Sequence, residues 1–217
     1  MVGRQAHFGA SEGRQLTVGR NKGRLLLPGS RMELNEKGVI TRKHIGVWRS
    51  DNHGKTWVLG EVPVPEKIKT PRNISSEARV TELSDGILLY NDRTRNTGRQ
   101  LSWSEDGGKS WSELVQGAEL KVTQCNGSLL TLKNEKGELT NTILFSVPSA
   151  GGRSNGLIYV SNDGGKTWPI EKNVVKGNFA YSALVQLKNR KIGLFYETGH
   201  YRTISMVELN LGELTSK

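Results

Sequence analysis

The chain has 217 residues, of which 31 are Lys or Arg and 21 Asp or Glu, with a formal net charge of +10 and a mean hydropathy of −0.51. That length permits one sizeable domain, and no run of about 18 apolar residues exists to form a transmembrane segment, nor do residues 1–11 carry the apolar core of a signal peptide. The lone Cys125 excludes an internal disulfide, four scattered His have no metal-ligand spacing, and the basic residues lack the interleaved aromatics of nucleic-acid modules; no metal, cofactor or nucleic acid is expected.

In chain order, residues 15–18, a turn at Asn21-Lys22-Gly23 and the apolar run 24–28 read as a hairpin. Residues 44–48 then alternate toward Ser50-Asp51-Asn52-His53-Gly54-Lys55-Thr56-Trp57, and residues 57–59 leave it. A second unit repeats this grammar: residues 78–83, an Asp85-Gly86 turn, residues 87–90, then 99–103 leading into Ser104-Glu105-Asp106-Gly107-Gly108-Lys109-Ser110-Trp111. The third uses residues 128–132, a turn around Lys136-Gly137, residues 141–145 and 157–160, and ends in Ser161-Asn162-Asp163-Gly164-Gly165-Lys166-Thr167-Trp168. The fourth holds residues 181–187, a turn at Asn189-Arg190, and residues 192–196 and 204–209, with no copy of the eight-residue stretch. Nowhere do apolar residues fall at helical spacing, so the chain reads as all-β.

The eight-residue stretch obeys one rule, Ser-x-Asp/Asn-x-Gly-x-Thr/Ser-Trp. Its Ser and Asp/Asn oxygens are suited to accept N–H groups inside a tight turn, its Gly supplies a positive φ, and its Trp anchors the returning strand. Three copies at intervals of roughly 55 residues match the period of four-stranded propeller blades, so about four blades are expected in this length.

Units two and four superpose in sequence without a gap. Leu83 falls on Leu187, Gly86 on Arg190, Glu77 on Tyr181 and Arg93 on Glu197. Equivalent positions of different blades ring the axis of a propeller, so these four polar residues are expected at one mouth. Arg forks match a carboxylate, and a neutral Tyr beside a Glu base suits a substrate whose own carboxylate would repel a carboxylate nucleophile; the set points to an acidic sugar.

At these residues the chain resembles the sialidases (neuraminidases). The three turns are similar to their Asp-boxes. The segment from Ser76-Glu77 to Asp92-Arg93 resembles the one that holds the glutamate assisting the nucleophile and the second Arg of a carboxylate-binding trio. Cys125-Asn126-Gly127-Ser128 resembles the opening of the following blade, and Ser149 to Arg153 the loop with the third Arg. Ala180-Tyr181-Ser182 and Leu194-Phe195-Tyr196-Glu197 are similar to the nucleophile segment and to the acid that steadies the first Arg. The resemblance implies a six-bladed propeller and retaining hydrolysis of terminal sialic acids. Tyr181 is then the nucleophile, Glu77 its base, Arg93 and Arg153 the carboxylate-binding residues and Glu197 a supporting acid, with sialylated glycans as partners and no cofactor.

The family's Phe/Tyr-Arg-Ile-Pro motif and its proton-donating Asp have no counterpart in the sequence. The expectation is therefore that residues 1–217 are one propeller domain lacking its N-terminal blades, with activity impaired. Two other readings stand beside it: a sialate-binding or Asp-box interaction module without catalysis, and a truncated product with open sheet edges.

Overall fold

The computed structural model describes residues 3–9, 11–66, 77–93 and 98–216; Ser76, at the head of the segment carrying Glu77, lies outside them. The chain divides into two compact units, residues 1–95 with 100–116 and residues 96–99 with 117–217.

Four antiparallel sheets follow one another. In the first, β1 (Gly3–His7) and β2 (Arg14–Gln15) pair along successive parts of β3 (Leu25–Leu34), which continues to β4 (Ile40–Ser50) and β5 (Val58–Glu61). The second is β6 (Ala78–Glu82), β7 (Leu88–Arg93), β8 (Arg99–Ser104) and β9 (Val115–Gly117). β10 (Ser128–Lys133), β11 (Leu139–Pro148), β12 (Ser154–Ser161) and β13 (Ile170–Asn178) form the third, and β14 (Ser182–Gln186), β15 (Lys191–Thr198) and β16 (Thr203–Asn210) the fourth. Apart from the split first strand, every sheet joins its strands in chain order, the meander of a propeller blade. The chain is thus all-β and of propeller type, with four blade sheets.

Several elements escaped the sequence reading, among them the fourth strands β9 and β13 of the second and third sheets. β1 is the polar pentapeptide Gly-Arg-Gln-Ala-His and takes its order from the ladder it makes with residues 30–34 of β3. β3 runs on through Pro28 because that residue lies level with the gap between β1 and β2, where a missing N–H costs least. A short helix, α1 (Leu211–Thr215), follows β16 and buries Leu211 and Leu214 in the core of the second unit. Among the described residues no helix is long and apolar enough to cross a membrane.

Each unit has its own core. Leu16, Leu26, Ile45, Val47, Val80, Leu88, Tyr90 and Trp111 pack in the first, and Leu144, Ile158, Val160, Phe179, Ile192 and Leu194 in the second. Burial at this level stabilises by about 25 cal/mol per Å² of apolar surface removed from water.

The repeated turns join the third strand of a sheet to the fourth and are built alike. The Ser hydroxyl accepts an N–H at 2.8 Å from Gly54, Gly108 or Gly165, and donates to Asn52, Asp106 or Asp163 at 2.8–3.0 Å. That acidic or amide oxygen in turn accepts the N–H of Thr56, Ser110 or Thr167 at 2.9–3.0 Å. Two consecutive residues are left-handed in every copy, and in the first the leading one is His53 at φ 57 rather than a glycine. Trp111 and Trp168 are buried and meet Tyr90 and Phe145 edge to face, whereas Trp57 is 37% exposed. The expectation that each Trp anchors its strand against a layer beneath therefore fails for Trp57. Its indole donates to Gly54 O at 3.0 Å, the same bond that buried Trp168 makes to Gly165 O at 3.1 Å, so that bond does not by itself bury the ring.

Arg24 links two of these turns within the first unit. Nearly buried, it holds Asp51 through Nε at 2.6 Å and donates Nη1 to the Gly107 carbonyl at 2.8 Å.

Burial works to raise the Asp106 carboxyl, but donors from Ser110, Ser104 and Lys109 outweigh it and hold the group down to about 2; Asp163 is lowered in the same way. A depressed carboxyl stabilises the fold fully above its unfolded value near pH ~4, and that contribution is lost as pH falls toward the folded value. Thermal melts from pH 7 to 2 should show this acid limb, and Asp106→Asn, which copies Asn52, should flatten it. Replacing the left-handed His53 by Gly should raise stability by about 0.5 kcal/mol in denaturant unfolding; a loss would show that the His53 side chain contributes to the turn.

Candidate functional site

The two hairpins that superpose in sequence also superpose in hydrogen bonding. The ladder from Ala78↔Asp92 to Glu82↔Leu88 matches that from Ser182↔Tyr196 to Gln186↔Ile192 pair for pair. At the turn end Leu83 N–H donates to Ile87 O at 2.9 Å and Leu187 N–H to Lys191 O at 2.8 Å, with Gly86 and Arg190 both left-handed at φ 82 and 56. At the open end Arg93 N–H donates to Glu77 O at 3.3 Å, and Glu197 N–H to Tyr181 O at 2.9 Å. Glu77 and Arg93 therefore occupy in one hairpin the places of Tyr181 and Glu197 in the other.

In the first unit, Arg93 Nη1 forms an ion pair with Glu77 Oε2, and the two side chains are 21% and 24% exposed. Asp92, next to Arg93, points to the opposite face as strand alternation requires and is buried.

In the second unit, Tyr181 sits immediately before β14, and three contacts fix that strand head. Tyr181 N–H donates to the Glu197 carboxylate at 3.2 Å, the Ser182 hydroxyl lies 2.7 Å from that of Ser146, and Leu184 N–H donates to Ser128 Oγ at 2.9 Å. The Cys-Asn-Gly-Ser segment beneath is equally constrained. A Cβ on Gly127 would overlap the Phe145 ring and the Ser146 carbonyl. Fully buried Arg99 donates to Cys125 O at 2.9 Å and stands 5.2 Å from the Phe145 ring centroid.

Arg153 reaches in from the connection between β11 and β12. Its guanidinium lies 5.1 Å from the centroid of the Tyr181 ring and 5.5 Å from that of Tyr201. Burial would lower its pKa, but Cys125, Tyr201 and Tyr181 outweigh this and raise it, so the fork stays charged at any working pH. A cavity of about 80 Å³ opens among Arg153, Phe179, Ala180, Glu197, His200 and Tyr201. Larger hollows of about 570 and 620 Å³ lie along residues 41–66 and 132–211, each lined by both apolar and polar side chains; at the first, His44 meets Glu33 and Glu61.

The structure thus brings Glu77 to Arg93 in one unit, and Tyr181 to Arg153 and Glu197 in the other. Glu197 does something the sequence did not announce: it accepts the N–H of Tyr181. Tyr201 was missed altogether, because it stands on a hairpin loop outside any strand period. A charged fork against a strand-head phenol is a set that can hold an anionic group beside a nucleophile.

Comparison with known proteins bears on the family and the fold. The BNR repeat-like domain profile matches residues 9–196. A sialidase of Micromonospora viridifaciens is 33% identical over 204 residues, covering 91% of this chain and 30% of its own, and an anhydrosialidase of Macrobdella decora is 30% identical over 222 residues, covering 95% and 27%. The structure of a leech intramolecular trans-sialidase complexed with 2,7-anhydro-Neu5Ac superposes with a TM-score of 0.73 at 26% identity, over 94% of this chain and 31% of that one. The chain spans about a third of the length of these proteins or less.

Proposed function

The chain belongs to the BNR repeat-like family of sialidase type, and from that premise we propose that it is the nucleophile-bearing part of an exo-α-sialidase, a glycoside hydrolase that removes terminal sialic acids from glycoproteins, gangliosides and oligosaccharides. The observation that carries the reading is Tyr181 at a strand head, with Arg153 against its ring and Glu197 on its N–H, in hairpin register with Glu77 and Arg93.

In this reading the Tyr181 oxygen attacks the anomeric carbon as the bond to the aglycone oxygen breaks. Glu77 takes the phenol proton, and a general acid protonates the leaving oxygen. Water then attacks the same carbon and gives its proton to the conjugate base of that general acid, while Glu77 returns the phenol proton to the departing Tyr181 oxygen; two inversions give retention. A neutral phenol suits a carbon that already bears a carboxylate. Arg153 and Arg93 are the forks for that carboxylate, and the ligand competes with Glu77 for Arg93. The first Arg and the acid Asp have no counterpart in these 217 residues, which span about a third of the relatives' length or less, so the chain alone should turn over poorly.

A second reading, a sialate-binding module without catalysis, follows from the absent Phe/Tyr-Arg-Ile-Pro motif and acid Asp. A fluorogenic sialoside assay separates the two when it is run on the 217-residue chain and on the protein with whatever coding sequence flanks it. The longer form should exceed the chain by about 10² to 10⁴ in rate, the range of general acid catalysis. Tyr181→Phe should abolish that turnover, and turnover that survives it would sink the assignment of the nucleophile. Arg153→Lys keeps the charge but loses the fork, and should weaken sialate binding about tenfold in calorimetric titration.

A further inference from the structure

Arg153 and Arg93 are held in different ways. Arg93 is paired with Glu77, but among the described residues no carboxylate forms an ion pair with Arg153. Two aromatic rings contact its guanidinium instead, Tyr181 at 5.1 Å and Tyr201 at 5.5 Å. A cation kept in place by ring faces retains its hydrogen-bonding edge for a ligand, whereas one kept by a carboxylate has already committed it.

Tyr201 makes its contact from an unusual backbone. It lies in the four-residue loop 199–202 that closes the β15–β16 hairpin, whose ladder runs as far as Thr198↔Thr203. Gly199, His200 and Tyr201 are left-handed in succession, at φ 56, 55 and 68, and Arg202 N–H donates to Gly199 O at 3.3 Å to close the loop. His200 and Tyr201 carry side chains in a conformation that disfavours them, a state that persists only where its surroundings over-determine it. The ring nevertheless remains 60% exposed, so the loop gains little by burying it. What the strained loop achieves is the placement of one ring face against Arg153, at the edge of the cavity that Arg153, Glu197 and His200 line.

We propose that Tyr201 is a positioning residue for carboxylate recognition: with Tyr181 it clamps the Arg153 guanidinium so that its N–H edge faces a sugar carboxylate, and it forms the outer wall of that subsite. The inference rests on the sialidase reading for the identity of the ligand, but not for the clamp. An Arg side chain left free must lose its rotamer freedom when it binds; one already stacked has lost that freedom in the free protein and grips more tightly.

The test uses the ¹⁵N-labelled 217-residue chain, in which the Arg153 Nε–H resonance is identified by its disappearance in Arg153→Lys. In the wild type this resonance should be ring-current shifted. Tyr201→Leu should move it toward the position of a free Arg and weaken N-acetylneuraminic acid binding about 5-fold, the worth of an exposed cation–π contact. Tyr201→Phe, which keeps the ring face, should preserve both. A resonance that ignores Tyr201→Leu, a Phe variant as impaired as the Leu variant, or an unchanged affinity despite a moved resonance would each overturn the proposal. If the wild-type chain binds no sialate at all, these residues do not hold the carboxylate by themselves and the subsite half of the proposal falls, whereas the response of Arg153 to Tyr201→Leu still decides the clamp.

Discussion

A β-ladder has a period of two, so a hairpin whose turn is settled has no freedom over which residues stand at its mouth. In β6–β7 the turn is settled by left-handed Gly86 and in β14–β15 by two left-handed residues, Asn189 and Arg190, and in each by one N–H bond across it, from Leu83 or Leu187. Everything at the far end follows. Counting back along equal ladders brings the chain to Glu77 opposite Arg93 in one hairpin and to Tyr181 opposite Glu197 in the other. A slip of one residue in either turn would send the same side chains to the opposite face.

The repeated turns serve these hairpins from the outside. Each ties a third strand to a fourth through a Ser hydroxyl and an acidic or amide side chain that together take up at least three N–H or O–H groups in one loop. The chemistry tolerates substitution unevenly. Asn52 replaces Asp and simply reverses one bond, donating its amide to Thr56 where Asp106 and Asp163 accept from a hydroxyl. His53 in a left-handed position is less comfortable, since its Cβ crowds its own carbonyl. The first turn is thus the most divergent in sequence, and its Trp is also the exposed one.

The functional residues differ in how much neighbouring structure they need. Tyr181 is secured by its backbone, through Glu197 and the Ser182 and Leu184 contacts to β10 and β11, and its ring meets Arg153. Arg153 has the converse arrangement, a mobile side chain made orderly by rings. For the roles proposed, a nucleophile needs a fixed origin and an anion receptor a fixed direction, and the two devices would supply these separately.

The sequence by itself determined the all-β class, the blade period, most strands, the three turns, and the equivalence of Glu77 with Tyr181 and of Arg93 with Glu197 in two hairpins. These rest on local patterns, namely alternation, turn residues and equal spacing, which act between neighbours in the chain. Tertiary structure alone decided that polar residues 3–7 become a strand, that β3 passes through Pro28, that Trp57 stays half open, that Glu197 serves the Tyr181 amide and that Tyr201 lies against Arg153. Each of those depends on a partner far along the chain or on a loop with no period, and contact between such groups is a property of packing, for which a linear pattern holds no signal.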